Sequence, residues 1–67
     1  MTMKLHVNDE LLEFRGATVA ELLEQLEVRG RRLAVEVNQE IVPRGEHAEH
    51  TLRDGDVVEI IHAVGGG

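Results

Sequence analysis

The sequence predicts an α+β fold, in which one main helix packs across one face of a mixed sheet of about four to five strands. Several short segments alternate apolar and polar residues, which is the period of a half-buried strand. One segment instead has apolar residues at helical spacing, so a single helix must cover the sheet. The length of 67 residues allows one small domain with one core.

The first two strands are expected to form a β-hairpin. Residues 3–8 alternate between apolar and polar side chains, and residues 12–15 alternate in the same way. The polar residues 8–10 between them favour a turn. Two alternating runs separated by a short turn are typical of an antiparallel pair.

The helix is predicted over about residues 19–28. Thr18 and Glu21 have the spacing of a capping box, in which each side chain accepts a hydrogen bond from a backbone N–H of the other residue. Arg29 lies where the helix macrodipole favours a cation, and Gly30 is expected to end the helix in a left-handed conformation. The apolar stripe of the helix consists of Val19, Leu22, Leu23 and Leu26.

Three further strands follow the helix. Residues 33–37 alternate, residues 38–40 form a turn, residues 41–42 form a short strand that Pro43 stops, and residues 57–63 form the last strand. The first and last strands are the most apolar, so we place them side by side at the centre of the sheet. A helix lying across a mixed sheet in this order of elements is the β-grasp, or ubiquitin-like, arrangement.

The segment that precedes the last strand is polar. Residues 44–50 are expected to be irregular, with room for one helical turn. His47 and His50 are three residues apart in this segment and could face together as metal ligands would. No carboxylate or cysteine completes a convincing ligand set, so the sequence predicts no metal site, and no set of catalytic residues stands out.

The charge balance excludes several classes of partner. Thirteen acidic against seven basic residues give a net charge of −6, which argues against nucleic acid and anionic membranes and favours a monomer. The sequence has no cysteine, no secretory signal and no apolar run of membrane-spanning length, which is consistent with the cytoplasm. So short a chain has little room for a catalytic cleft, and we do not expect an enzyme.

The end of the sequence is its most informative feature. Residues 1–64 are assigned to the β-grasp domain and residues 65–67 to a flexible tail of glycines. Gly65 and Gly66 have no side chains and can enter a narrow active site on another protein. There the carboxylate of Gly67 can attack the α-phosphate of ATP, and sulfur or an amine can capture the acyl-adenylate. The alternative is a frayed terminus without a role.

A docking surface for such a protein is expected beside the tail. On the last strand, Val58 and Ile60 are predicted to face the helix, and the alternate residues to face the open side of the sheet. Ile61 is the best candidate for an exposed apolar anchor, unless it packs beneath a neighbouring side chain. The predicted docking residues are Glu59, Ile61, Ala63 and Val64.

Five stretches of the sequence carry a resemblance to a known family. They are residues 37–44, 46–48, 54–56, 58–60 and 62–67. These stretches are similar to those of the ThiS family, the small sulfur carriers of thiazole formation in thiamin biosynthesis. Gln39 stands where that family often has glycine.

The resemblance implies a series of partners. A ThiF-type enzyme would adenylate the Gly67 carboxylate with MgATP, and sulfur from a sulfurtransferase would convert this carboxylate to a thiocarboxylate. Thiazole synthase, ThiG, would then take the sulfur into the thiazole ring. The chain itself would be a recycled co-substrate that binds no cofactor, rather than a catalyst.

Other functions are open on the sequence alone. The same fold and tail suit a sulfur carrier for molybdopterin or cysteine synthesis, or a modifier of target lysines. A different class is a non-covalent ubiquitin-like interaction module in which the glycines are passive. Removal of Gly66 and Gly67 separates the two classes, because only a carrier needs its tail.

Overall fold

The computed structural model describes residues 2–29 and 32–62. These residues contain five strands, one α-helix and one 3₁₀ helix. In chain order they are β1 (Met3–Val7), β2 (Glu10–Phe14), α1 (Val19–Gln25), β3 (Leu33–Val37), β4 (Glu40–Val42), the 3₁₀ helix (Arg44–Glu46) and β5 (Val57–His62). This is the predicted order of elements. The proposed domain boundary after residue 64 lies outside the described residues and stays a prediction.

The strands form one sheet in the order β2-β1-β5-β3-β4. The first and last strands are adjacent and β5 is the central strand, as predicted, and the structure shows that these two strands run parallel. The pairs β1–β2, β3–β4 and β3–β5 are antiparallel. The sheet is therefore mixed, and its central strand is the one that leads to the end of the sequence.

Both hairpins have tight two-residue turns. The φ angles are 48° at Asn8 and 69° at Asp9 in the first turn, and 52° at Asn38 and 71° at Gln39 in the second. Positive φ at both central residues is the type I′ geometry, whose twist matches that of the flanking strands. The residues that follow these turns, Glu10 and Glu40, already belong to strands and not to the turns that the sequence analysis gave them.

The predicted start of the helix is confirmed, but its predicted end is wrong. Thr18 caps the helix, with a capping box to Glu21. The helix ends at Gln25, because Glu27 adopts a left-handed conformation with φ of 57°. The N–H groups of Glu27 and Val28 return to carbonyls inside the helix, at 3.1 and 3.0 Å, which is a Schellman motif. Gly30, the predicted stop, lies outside the described residues.

The core lies between the helix and the inner face of the sheet. Leu52, in the loop before β5, is also part of it, although the sequence analysis gave this residue no role. The loop is held at the start of the helix, because the N–H of Leu52 donates to the carbonyl of Ala17 at 2.7 Å. The buried apolar residues are Leu5, Val7, Phe14, Val19, Leu22, Val35, Val37, Val42, Leu52 and Val58.

The segment after β4 is more ordered than a polar loop. It begins with the 3₁₀ helix, which agrees with the expected single helical turn. His47 is only 8 % exposed, and its Nε2 donates to the carbonyl of Val42 at 3.1 Å. Its own carbonyl accepts from the N–H of Ala20, at 2.9 Å. His47 is thus a structural residue that joins this segment to both β4 and the helix.

Candidate docking face and tail-bearing strand

The central strand β5 presents two different faces. Val58 is fully buried against the core and Ile60 is half-buried, so both face the helix. Val57, Glu59 and Ile61 point to the other side, which is the open face of the sheet. Ile61 is 48 % exposed. The described part of the predicted docking surface, Glu59 and Ile61, is therefore accessible to a partner.

The remaining residues of the predicted site follow β5 in the sequence. These residues are Ala63, Val64, Gly65, Gly66 and Gly67, and they lie outside the described residues. Their roles as docking residues, threading residues and sulfur-carrying terminus therefore stay predictions. The structure does locate the residue to which they are joined, because His62 ends the central strand opposite Leu33 of β3.

The open face also carries two apolar residues that the sequence analysis did not place there. Leu11 of β2 and Ile41 of β4 are 63 % and 70 % exposed. Each belongs to a pair of successive apolar residues, Leu11-Leu12 in one case and Ile41-Val42 in the other. Successive residues of a strand face opposite sides, so one member of each pair had to face away from the helix. This was the signal that could have found them.

Cross-strand pairing arranges the open face in rows. In the row nearest the start of β5, Leu11 lies opposite His6, and His6 opposite Val57. In the next row Glu36 of β3 lies opposite both Glu59 and Ile41. In the row nearest the end of β5, Ala34 lies opposite Ile61. Ile61, the predicted anchor, is therefore next to an acidic row, at the end of β5 that residue 63 follows in the sequence.

A small recess lies in the acidic row. Its volume is about 190 Å³, and it is lined by Glu36, Gln39, Val57 and Glu59. The two carboxylates of this recess offer four oxygen atoms that accept hydrogen bonds. The recess therefore suits a cationic group of a partner better than an anionic one.

Two turn asparagines bind the backbone of β5. The Oδ1 of Asn8 accepts from the N–H of Ile60 at 2.8 Å, and its Nδ2 donates to the Ile60 carbonyl at 3.3 Å. The Oδ1 of Asn38 accepts from the N–H of Val57 at 3.0 Å, and its Nδ2 donates to Asp56 at 3.0 Å. The sequence analysis read both asparagines only as turn formers. The structure adds that they hold β5 from opposite neighbours in the sheet.

The structure shows no metal centre within residues 2–29 and 32–62, where no group of three or more His, Cys, Asp or Glu residues could hold an ion. The Nε2 of His47, one of the two histidines singled out in the sequence, donates to the carbonyl of Val42, as described above. In the same described ranges, no helix is long and apolar enough to cross a membrane.

The chain is similar over almost its whole length to ThiS proteins. The ThiS family model matches residues 5–67. The sulfur carrier protein ThiS of Escherichia coli strain K12 is 41 % identical over 66 residues, which are 97 % of this chain and 100 % of that protein. A thiazole synthase of Paramagnetospirillum magneticum is 46 % identical over 66 residues, but this match covers only 20 % of that protein.

The fold agrees with a solved structure of the same kind. The crystal structure of the thiamine biosynthesis protein ThiS from Geobacter metallireducens superimposes with a TM-score of 0.81 at 38 % identity. The match covers 97 % of this chain and 100 % of that one. The β-grasp prediction is thereby confirmed.

Proposed function

Because the chain belongs to the ThiS family, we propose that it carries sulfur as a thiocarboxylate on Gly67 and donates this sulfur to the thiazole ring in thiamin biosynthesis. The observation that carries the proposal is the family match itself, which runs through the domain and the glycines to residue 67. The family makes the chain a carrier rather than an enzyme. Its own contribution is to present a terminus to the active sites of others.

The proposed chemistry takes place on the Gly67 carboxylate. A carboxylate oxygen attacks the α-phosphorus of ATP, pyrophosphate leaves, and an acyl-adenylate forms. A sulfide equivalent then attacks the acyl carbon, AMP leaves, and the thiocarboxylate remains. Three successive glycines let the backbone pass through a channel too narrow for side chains. MgATP binds the activating enzyme in this scheme, and we propose no cofactor for the chain itself.

The proposed partners are an adenylating enzyme of the ThiF type, a sulfurtransferase and thiazole synthase. Two relatives named thiazole synthase contain a segment similar to this chain as about a fifth of their length. Covalent linkage of the two functions in those proteins supports an encounter between this carrier and thiazole synthase. We propose a cytoplasmic location, where ATP and reduced sulfur are both available.

The docking surface is proposed to be the open face at the tail end of β5. Ile61 supplies the apolar anchor, and Ala63 and Val64 extend the apolar contact towards the glycines. Glu59 and its neighbour Glu36 meet a basic side chain of the partner, since the two carboxylates line one recess. Acidic residues beside an apolar anchor also speed the encounter with a basic surface.

Intact mass measurement tests the proposed function. The protein is incubated with MgATP, an activating enzyme of the ThiF type and a sulfur donor, and we expect the mass gain of one sulfur atom replacing one oxygen atom. Fragmentation should place this gain at Gly67. The control is the chain extended by one residue after Gly67, which should not gain mass. An unchanged mass, with an activating enzyme that modifies its own carrier, would contradict the proposal and favour a non-covalent module.

A further inference from the structure

We propose that Asn8 is a positioning residue, which holds the end of β5, the strand that residue 63 follows in the sequence. The inference rests on the proposed function, because the position of this strand end affects activity only if the terminus has to enter a partner's active site. The argument begins with the hydrogen bonds between β1 and β5.

The side chain of Asn8 replaces a backbone group of its own strand. In a parallel pair, the residue after Val7 would donate from its N–H to Val58 and accept from Ile60 through its carbonyl. The donation is present, at 2.9 Å from Asn8 to Val58. The acceptance is made by Oδ1 instead, at 2.8 Å. The positive φ of Asn8 begins the turn, so its side-chain amide takes the place that the backbone leaves.

This contact lies at the last point where β1 reaches β5. Within the described residues, the register of β1 with β5 is His6 with Val57 and Val7 with Val58. Beyond Ile60, the pairing of β5 continues with β3 alone, up to Leu33 opposite His62. The β1 pairing ends at Val58, and the Asn8 side chain extends the hydrogen bonding on this side of β5 by two residues, to Ile60. It restrains the strand close to the point where residue 63 is attached.

Asn38 makes the same kind of contact at the other end of β5. Its N–H donates to the Val57 carbonyl at 2.7 Å, and its Oδ1 accepts from the Val57 N–H at 3.0 Å. Its φ of 52° is close to the 48° of Asn8, and both residues open a type I′ turn. Asn38 is thus a suitable control, since its Oδ1 makes the same bond to the β5 backbone at the end of the strand that lies far from residue 63.

The test compares Asn8→Gly with Asn38→Gly. Glycine accepts a positive φ, so each variant keeps its turn and loses only the side-chain amide. We expect similar losses of stability. With the activating enzyme, kcat for adenylation should fall about tenfold more for Asn8→Gly than for Asn38→Gly, because misplacement of a reacting group lowers the rate of the chemical step. KM should be unchanged in both, since the docking face is intact.

Amide hydrogen exchange provides a readout independent of any enzyme. Asn8→Gly should speed exchange at Ile60, whose N–H donates to the Asn8 Oδ1, whereas Asn38→Gly should act at Val57. Asn8→Asp, which keeps the acceptor for the Ile60 N–H, should restore protection at Ile60.

Two results would overturn the inference. One is an equal fall of kcat in the two glycine variants at equal stability, which is the result of a merely structural role. The other is unchanged exchange at Ile60 in Asn8→Gly. Failure of the wild-type chain to be adenylated would contradict the proposed function instead, and the exchange experiment would still decide whether Asn8 restrains β5.

Discussion

Glu36 and Glu59 lie directly opposite each other in the antiparallel pairing of β3 with β5, on the open face of the sheet. Side chains in such a pair have Cβ atoms about 5 Å apart, and like charges at this distance destabilise the sheet. The fold therefore carries a local cost at the place where a basic partner would dock.

Removal of the negative charge of Glu59, one of the two opposed glutamates, should stabilise the protein in the absence of a partner. We expect Glu59→Gln to raise the free energy of unfolding by about 0.5 kcal/mol, since the repulsion with Glu36 is removed. Urea denaturation at low and high salt measures this, and the gain should shrink at high salt. Glu40→Gln is the control, because Glu40 lies opposite Val37. A stability of Glu59→Gln no higher than that of the control variant would contradict the repulsion.

Ile61 should matter more for docking than for folding. Its side chain is about half exposed on the open face, so Ile61→Asp should lower the free energy of unfolding by about 1 kcal/mol and leave the chain folded. Loss of an apolar anchor should raise KM for the activating enzyme about tenfold. Leu11→Asp introduces the same side chain on the same face, two strands from β5, and should leave KM unchanged. Equal kinetics for Ile61→Asp and the wild type would show that docking occurs elsewhere.

Gln39 lies in the turn between β3 and β4, and its backbone conformation there is unfavourable for a residue with a long side chain. Its φ of 71° lies in the left-handed region, which a residue with a long side chain adopts at a cost. We expect Gln39→Gly to raise the free energy of unfolding by about 0.5 kcal/mol, after the entropy that glycine loses on folding. Asp9→Gly changes the equivalent position of the other turn, and its gain should be smaller because Asp tolerates this conformation better. Thermal unfolding of the two variants provides the comparison, and an equal or larger gain at Asp9 would contradict the argument.

The capping box should make the free energy of unfolding depend on pH in the acidic range. Hydrogen bonds from the backbone N–H groups of Ala17 and Thr18 lower the pKa of the Glu21 carboxyl below its ordinary value. A pKa lower in the folded state means that Glu21 stabilises the fold above its unfolded pKa, and that this contribution disappears as pH falls through the folded pKa. Glu21→Gln should therefore flatten the loss of stability as the pH falls below the ordinary pKa of a glutamate carboxyl.

The control for this prediction is Glu24→Gln, which removes a carboxylate from the same helix but not from its N-terminal end. Denaturant midpoints across the pH range should show a smaller flattening for this variant. Parallel pH profiles for Glu21→Gln and the wild type would be inconsistent with a stabilising Glu21 carboxylate.

Local signals in the sequence were sufficient for most of the secondary structure. The alternation of residues 3–8, the capping box at Thr18 and the apolar last strand each depend on neighbours within a few positions. The end of the helix was predicted wrongly because the sequence analysis took Gly30 as the left-handed residue that ends the helix. In the structure the left-handed residue is Glu27. Glutamate is a poor residue for that conformation, and a local pattern does not reveal it.

The burial of His47 and Leu52 needed the folded chain. Each lies in a polar stretch, and each is held by a backbone group from another element, the helix or the residue before its cap. The exposure of Leu11 and Ile41 was readable in principle, since a strand cannot bury two successive side chains on one face.

The sequence by itself determined the β-grasp order of elements, the central place of the last strand, the helix cap and the family, because these depend on patterns within short segments. Only the tertiary structure decided which side chains meet across the sheet. Asn8 and Ile60 are 52 residues apart in sequence, so no local pattern could predict their hydrogen bond. Glu36 and Glu59 meet for the same reason, because the register between strands is set by packing of the whole core and not by either strand alone.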